Sequence, residues 1–219
     1  MDILEANSQA TAYTLHPCTV TGQYRCTGAE CGSSICDLGG CDFNPWRTGD
    51  QTFYGMGKTI DTSKKFTVVT QFLTSDNTAD GDLIEVRRVW VQDGTVFKNS
   101  NAKLSGLTGN SLTDAFCEAE NTLFEGDGGF KAHGGMSKTG DAFDDGMVLT
   151  LSIWLDETAD MLWLDSNFPA DADPSKPGVS RGPCPTDSGK REDILKEQPN
   201  ASVTFSNIKI GDIGSTFSG

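Results

Sequence analysis

Residues 66–96 read FTVVTQFLTSDNTADGDLIEVRRVWVQDGTV and carry the strongest strand pattern in the chain. β-Branched and aromatic residues crowd into 66–72 and 83–91, and these residue types are enriched in β-strands. The pair Asp93-Gly94 after the second run favours the tight turn of a β-hairpin. The stretch therefore predicts antiparallel strands joined by short turns.

The rest of the chain repeats this pattern and shows no sustained helical stripe with capping residues. Segments 147–154, 161–164 and 202–210 also have strand-like composition. Because short strands are separated by clusters of Gly, Asn, Asp and Ser, we predict an all-β fold built as an antiparallel sandwich. Two longer segments, 17–50 and 117–146, are predicted as loops, the first stapled by disulfides and the second bordering a site.

The composition disfavours several classes of function. A net charge of −14 argues against nucleic acid and anionic membranes as partners, since both need a basic surface. No apolar run is long enough to span a bilayer. A neutral polymer such as a polysaccharide tolerates this charge, and 219 residues with 36% hydrophobic composition suffice for a core.

The chain has seven cysteines and no paired C-x-x-C spacing that would favour a metal site. This usage is typical of an oxidising, extracellular setting, so we expect a secreted protein. The odd number leaves one thiol without a partner inside the chain. The sequon Asn200-Ala201-Ser202 is compatible with secretion.

Two carboxylates stand three positions apart at Asp2 and Glu5, in the strand-like run MDILEANS at residues 1–8. Side chains alternate faces along a regular strand, so Asp2 and Glu5 would point to opposite sides. They can share a site only if the strand ends or bulges between Ile3 and Glu5. Taken alone, such a pair is more often an ordinary part of the surface.

The run resembles the Glu-x-Asp-x-x-Glu motif of the glycoside hydrolase family 7 cellulases, whose members are, in order, the nucleophile, its assistant and the acid/base. Asp2 and Glu5 match the second and third members, and the first would lie immediately before Met1. The resemblance implies retaining hydrolysis of β-1,4-glucosidic bonds in cellulose, which needs two carboxyl groups about 5 Å apart and neither a metal nor an organic cofactor. Glu5 would be the acid/base, with a pKa raised by neighbouring carboxylates.

Further strings match the same family over nearly the whole chain. They lie at 16–18, 41–47, 67–72, 146–149, 161–166, 181–184, 205–209 and 214–215. The resemblance implies a concanavalin-like antiparallel β-sandwich, or jelly roll, with long disulfide-stapled loops. Because the motif lacks its first member, we expect residues 1–219 to be the C-terminal portion of a single catalytic domain, an incomplete sandwich whose N-terminal part is missing.

The resemblance also implies a pairing of the cysteines. It joins Cys18 to Cys36, Cys26 to Cys31 and Cys41 to Cys117, and it joins Cys184 to a cysteine N-terminal to this chain. A cysteine without a mate and a motif without its first member are independent signs of the same truncation.

Two tryptophans are sugar-binding residues by the same resemblance. The residue matching Trp154 supports a sugar on the nonreducing side of the scissile bond, and the one matching Trp163 supports a sugar on the leaving-group side. Flat indole faces stack on the apolar faces of pyranose rings. The nine-residue separation predicts neighbouring strands or an intervening turn. Trp46 and Trp90 are predicted to be packing residues.

Polar residues of the leaving-group side follow from the resemblance too. His16 would lie near the leaving-group sugar and the acid/base, where a histidine tunes a pKa or binds a hydroxyl. Asp42, Arg47 and Arg181 would line the product side, where a guanidinium holds hydroxyl groups through several N–H donors. The expected partner is cellulose or a cello-oligosaccharide, bound by a monomer, with no nucleic acid and no membrane.

Departures from the family leave the mode of action open. The span from Cys31 to Cys36 is short, Gly39 replaces a product-site Asp, and Phe168 stands where Tyr is common, which favours an open, endoglucanase-like cleft. The length of 117–146 favours a cellobiohydrolase. A noncatalytic β-glucan-binding sandwich is the rival class, because the nucleophile lies outside this chain and a covalent route cannot run on the acid alone.

Overall fold

Three sheets make up the strand framework in the computed structural model, which describes residues 1–32 and 34–218. The first is antiparallel, with β1 at Asp2–Ala6, β2 at Thr11–Leu15 and β3 at Cys41–Asp42. A short parallel pair joins β4 (Tyr54–Gly55) to β5 (Ile60–Asp61). The largest sheet contains β6 (Thr67–Thr74), β7 (Leu83–Gln92), β8 (Thr95–Lys98) and β9 (Ser111–Leu112), and its other three strands all pair antiparallel with β7.

Five short α-helices occur among the described residues. They are α1 (Asp114–Leu123), α2 (Gly129–Ala132), α3 (Gly135–Asp144), α4 (Leu162–Asp165) and α5 (Arg191–Glu197). A 3₁₀ turn covers Gly28–Cys31. No helix in the described ranges is long and apolar enough to cross a membrane.

The strands and the turn predicted from 66–96 are present. β6 and β7 cover the two predicted runs and pair with Val69 opposite Val89. Asp93 and Gly94 have φ values of 50° and 75°, the left-handed backbone that a two-residue turn between β7 and β8 requires. Local composition and one turn dipeptide were therefore sufficient to predict this part of the fold.

Two apolar clusters form the core, and β7 contributes to both. Near the start of β7, Val86 belongs to the cluster in which the Phe43 ring stacks between Tyr13 and Phe116, at centroid distances of 5.9 and 5.2 Å. Near its end, Trp90 is 1% exposed and anchors a second cluster, as its predicted packing role requires. The first cluster joins β7 to β2, β3 and α1, so the two main sheets pack together.

The prediction of a loop over 117–146 was wrong, because α1, α2 and α3 occupy most of that segment. Thr113 is the N-cap residue of α1, and its hydroxyl oxygen accepts a hydrogen bond from the Phe116 backbone N–H at 3.1 Å. Its buried face contains Phe116, Cys117 and Glu120. A charged residue within the stripe hides the helical period from inspection of hydrophobicity alone.

The other three predicted strands are not strands in the described part of the chain. Segments 147–154 and 202–210 carry no regular secondary structure and are almost entirely exposed, with Val148 at 88% and Ile210 at 94%. Segment 161–164 is helical instead: Met161, whose φ is 63°, is the N-cap residue of α4. A strand exists only where a neighbouring backbone satisfies its N–H and C=O groups, and composition cannot show whether such a neighbour is present.

The three disulfides implied by the family resemblance are all present. Their bonds are Cys18–Cys36, Cys26–Cys31 and Cys41–Cys117. The first two staple an excursion that includes residue 33, which lies outside the described residues, and the third joins β3 to α1. Cys184 is free among the described cysteines. The fold is thus mainly sheet with short helices and stapled loops, while the jelly-roll topology stays a prediction.

Candidate active site

A β-bulge in β1 brings the two N-terminal acids to one side of the strand. Asp2 pairs with Thr14 and Glu5 pairs with Ala12, so the register shifts by one residue between them. Without that shift the two side chains would point to opposite faces. Both acids instead line one cleft. The expectation that they could meet only through a bulge is confirmed.

The cleft has a volume of about 680 Å³. That size is in the range of pockets that hold small organic ligands. Seven of the eight site residues predicted from the sequence line it: Asp2, Glu5, His16, Asp42, Arg47, Trp163 and Arg181. Trp154 does not line it.

His16 bridges Asp2 to the loop that precedes β3. Its Nε2 lies 2.7 Å from Asp2 Oδ2, and its Nδ1 lies 2.8 Å from the carbonyl oxygen of Asp37. Because a carbonyl oxygen and an ionised carboxylate both only accept hydrogen bonds, both ring nitrogens must carry protons. His16 and Asp2 therefore form an ion pair at the first residue of β1.

Shifted pKa values agree with this pairing. Burial alone lowers the pKa of His16, but its hydrogen bonds to Asp2 and to Asp37 outweigh burial and raise it overall. The hydrogen bond from His16 in turn lowers the pKa of Asp2. Asp2 thus stays ionised well into the acidic range.

Glu5 has the opposite behaviour. Its pKa is raised to about 7, first because the carboxyl group is partly buried and next because the charge of Asp2 lies nearby. Asp42 adds to the rise, and His16 opposes it. One wall of the cleft therefore holds an ionised carboxylate beside a carboxyl group that keeps its proton up to near-neutral pH.

Two arginines line another part of the cleft, which we call the arginine end. Arg47 donates from Nη1 to Asp42 Oδ1 and from Nε to the Gly178 carbonyl oxygen at 3.1 Å. Its guanidinium also lies over the Phe124 ring, 4.3 Å from the centroid. Arg181 lies over the Phe168 ring at 5.5 Å. The two cations face the cleft from fixed positions.

Glu120 also lines this end of the cleft, although the sequence did not single it out. It is 4% exposed, and its Oε1 lies 3.5 Å from Arg47 Nη1. Burial, reinforced by the charge of Asp42, raises its pKa well above the usual value, while Arg47 and Arg181 oppose that rise. Glu120 was missed because its segment was predicted as a loop. A Thr113 cap followed by the Phe116–Glu120 spacing was the signal that could have revealed it.

The two predicted sugar-binding tryptophans stack on each other. Their ring centroids are 6.2 Å apart with an interplanar angle of 20°. A sugar ring held between two indoles needs a van der Waals contact of about 3.5–4.0 Å on each side, so none fits between them. Trp163 Nε1 donates to Asp156 Oδ2 at 2.9 Å, whereas Trp154 is half exposed. The turn expected between them is present at 157–161.

Comparisons with known proteins converge on one family. Residues 1–217 match the family model described as Glycosyl hydrolase family 7. A cellobiohydrolase from Daphnia pulex matches with a TM-score of 0.96 and 47% identity, over 98% of this chain and 51% of that chain.

Two further structures give the same result. A cellobiohydrolase from Melanocarpus albomyces, solved with cellotetraose, matches with a TM-score of 0.89 and 37% identity, over 99% of this chain and 50% of that one. A double mutant of the Humicola insolens endocellulase EGI matches with a TM-score of 0.85 and 36% identity, over 100% of this chain and 50% of that chain. The chain thus spans about half the length of these structures.

Proposed function

Because this chain belongs to glycosyl hydrolase family 7, we propose that it contributes to the retaining hydrolysis of β-1,4-glucosidic bonds in cellulose. The bulge in β1 carries this proposal, since it sets Asp2 and Glu5 on one wall of a cleft large enough for sugar units. Retaining hydrolysis needs a carboxyl group that first gives a proton to the departing oxygen and later takes one from water. Glu5, with a pKa of about 7, is suited to both steps.

The roles of the two acids differ because their surroundings differ. Glu5 is partly buried beside a negative charge and retains its proton until the glycosidic oxygen accepts it. Asp2 is held ionised by His16, so it keeps a fixed negative charge on the same wall. We assign Glu5 as the acid/base and Asp2 as the residue that assists the nucleophile.

The nucleophile itself is a separate carboxylate in this mechanism. It attacks the anomeric carbon from about 5 Å away from the acid/base, forming a glycosyl-enzyme bond that water then cleaves. By the resemblance to the family motif, the matching glutamate would precede Met1. We therefore assign the acid/base and its neighbour to this chain and the nucleophile to a residue outside it.

We assign the arginine end of the cleft to the leaving-group sugars. Arg47 and Arg181 present several N–H donors to sugar hydroxyl groups, and Trp163 offers an indole face on the same cleft. Structures of the Melanocarpus cellobiohydrolase with cellotetraose and of an endoglucanase I with cellobiose support a cello-oligosaccharide as the ligand. We expect a secreted monomer, in keeping with the three disulfides.

Cellobiohydrolase-like action is the mode we favour, with endoglucanase action as the alternative. Solved relatives include both types. Glu120 of α1, Phe124 directly after α1 and Phe130 of α2 border the cleft, which favours an enclosed site. The short span from Cys31 to Cys36 favours an open one. Products from amorphous cellulose distinguish them, because mainly cellobiose indicates the first and a spread of lengths the second.

A hydrolysis assay on cellotetraose tests the proposal. The protein of residues 1–219 is compared with a version extended upstream by a glutamate and the preceding family residues. We expect turnover only in the extended version, reduced about 10²- to 10⁴-fold by Glu5→Gln. The control is Glu118→Gln, an exposed glutamate that pairs with Lys131. Full turnover in extended Glu5→Gln contradicts the acid/base assignment.

A noncatalytic β-glucan-binding sandwich is the second candidate. A chain that carries the acid without the nucleophile would favour this candidate, because the acid alone cannot form the covalent intermediate. Binding of cellotetraose without turnover in either version supports this candidate. Turnover in the extended version excludes it.

A further inference from the structure

Arg88, at the middle of β7, is a buried cation without an acidic partner. It is 1% exposed and lies between the two core clusters, on the same face of β7 as Val86 and Trp90. No carboxylate among the described residues pairs with it, and its Nε and Nη1 have no hydrogen-bond partner there. Burial lowers its pKa to about 10, so it still carries its charge at neutral pH. A buried cation of this kind is costly and calls for an explanation.

The side chain of Arg88 contacts β1 and β2 and one ring of its own strand. Its guanidinium lies 4.5 Å from the centroid of the Tyr13 ring on β2 and 5.4 Å from that of Trp90. The one side-chain hydrogen bond that it makes within the described residues runs from Nη2 to the carbonyl oxygen of Ile3. Ile3 lies on β1 between the paired residues Asp2 and Glu5, where the register shifts.

We propose that Arg88 is a positioning residue for the acid pair: its guanidinium holds the Ile3 carbonyl and thereby maintains the bulge that sets Asp2 and Glu5 on one wall of the cleft. Backbone groups in a bulge lose their ladder partners and need another donor. A charged donor in a low-dielectric interior makes a strong hydrogen bond. The rings of Tyr13 and Trp90 fix the plane of the guanidinium, so the carbonyl is held in one direction.

Arg88 does not shift the pKa of Glu5 through its own charge. The groups that set the titration of Glu5 are Asp2 on β1, His16 after β2, Asp42 on β3 and the amino terminus of Met1. Arg88 is not among them. A change in Glu5 titration on altering Arg88 therefore reports a displacement of Glu5, and a variant that keeps the cation excludes a direct effect of charge.

The experiment is an NMR titration of the Glu5 carboxyl carbon in the full chain without sugar. Arg88→Lys keeps the positive charge but loses the planar guanidinium. We expect the titration midpoint of Glu5 to fall by about one pH unit toward the ordinary glutamate value, because the Glu5 carboxyl group moves away from Asp2 and becomes more exposed to solvent. The matched control is Arg87→Lys. Arg87 neighbours Arg88 on β7 but pairs with Glu85 at 2.8 and 3.0 Å. An unchanged midpoint in folded Arg88→Lys overturns the inference.

A measurement on the unmodified chain decides the matter if the variant does not fold. The Arg88 guanidinium protons should exchange with solvent at least about tenfold more slowly than those of Arg87 and show nuclear Overhauser contacts to Ile3. Equal exchange or missing contacts overturn the inference. The inference rests on the proposed function only for the role of Glu5. Its test needs no ligand, so a chain that fails to bind cellotetraose refutes the function without deciding the role of Arg88.

Discussion

His16 Nε2 lies 2.7 Å from Asp2 Oδ2, and this contact joins the end of β2 to the start of β1 beside the carboxyl group of Glu5. Fourteen residues separate the two side chains in sequence. The contact keeps one acid of the cleft ionised while its neighbour stays protonated. It thus separates the pKa values of two carboxyl groups on one wall, which is the requirement for distinct acid and base roles.

Replacing His16 by Gln should raise the pKa of Asp2, because the hydrogen bond from His16 is the main cause of its depression. The pKa of His16 is raised by folding, so the pair stabilises the fold below about pH 6.5 and loses that effect as the pH rises through the folded value. The pKa of Asp2 is lowered, so the effect is also lost as the pH falls from 3.8 through its folded value.

Melting temperatures of the wild type and His16→Gln between pH 3 and 8 measure this window. The difference between them should be largest around pH 4–6, between the ordinary values of the two groups. His133→Gln is the control, because the only side-chain hydrogen bond of His133 in the described part of the chain is to the Gly129 carbonyl oxygen. A difference that does not depend on pH contradicts the ion pair.

Replacing Glu5 by Gln should stabilise the protein at high pH. The folded chain keeps a proton on Glu5 between pH 4.5 and about 7, where the unfolded chain has lost it, so the free energy of unfolding falls as the pH rises through this range. The gain at pH 8 should be of order 1 kcal/mol after discounting for solvent screening. Urea unfolding at pH 5 and 8 measures it, and an equal effect at both pH values contradicts the raised pKa.

Replacing Glu120 by Gln should loosen the arginine end of the cleft. Glutamine keeps one oxygen acceptor, but it replaces the other carboxyl oxygen with an NH₂ donor and cannot carry a negative charge 3.5 Å from Arg47 Nη1. We therefore expect a loss of about 1–3 kcal/mol in the free energy of unfolding and weaker binding of cellobiose. Urea unfolding and isothermal titration calorimetry measure the two effects. Glu118→Gln, on the exposed side of α1, should change neither. An unchanged affinity for cellobiose in Glu120→Gln argues that Glu120 does not position Arg47.

The disulfides should differ in their contribution to stability. Cys41–Cys117 closes a loop across 76 residues, whereas Cys26–Cys31 closes one across 5. Loop entropy predicts that removing the first, as Cys41→Ala with Cys117→Ala, costs about 4 kcal/mol and removing the second about 2 kcal/mol. Urea unfolding of the two double variants tests this order. The reverse order would indicate that native packing, not chain entropy, dominates.

The Cys184 thiol should be poorly reactive. Burial, assisted by the charge of Asp165, raises its pKa to about 12, and the thiolate is the reactive form. Iodoacetamide at pH 8 should modify it much more slowly than a free cysteine peptide in the same tube, as followed by mass spectrometry. Asp165→Asn should speed modification, because it removes the neighbouring charge. Equal rates for the protein and the peptide contradict this assignment.

Sequence reasoning succeeded where a local pattern has one outcome. The β-branched runs 66–72 and 83–91 form the predicted antiparallel pair, and Asp93-Gly94 forms the predicted turn after the second run. The spacing of Asp2 and Glu5 allowed a shared site only through a bulge. It failed at 147–154, where composition favours a strand but no neighbouring backbone in the described chain pairs with the segment. It also missed α1, whose buried stripe includes a charged residue.

The family motifs, the disulfide pairing that the family resemblance implies and seven residues of the cleft were accessible from the amino-acid sequence by itself. Only the tertiary structure decided that Trp154 stacks on Trp163 without itself lining the cleft, that Glu120 joins the arginines, and that Arg88 reaches Ile3. The physical reason is that burial and hydrogen-bond partners depend on residues far apart in the chain, 85 positions in the case of Arg88 and Ile3. Local patterns specify what a segment can form, whereas the charge state and direction of a side chain are set by the neighbours that folding supplies.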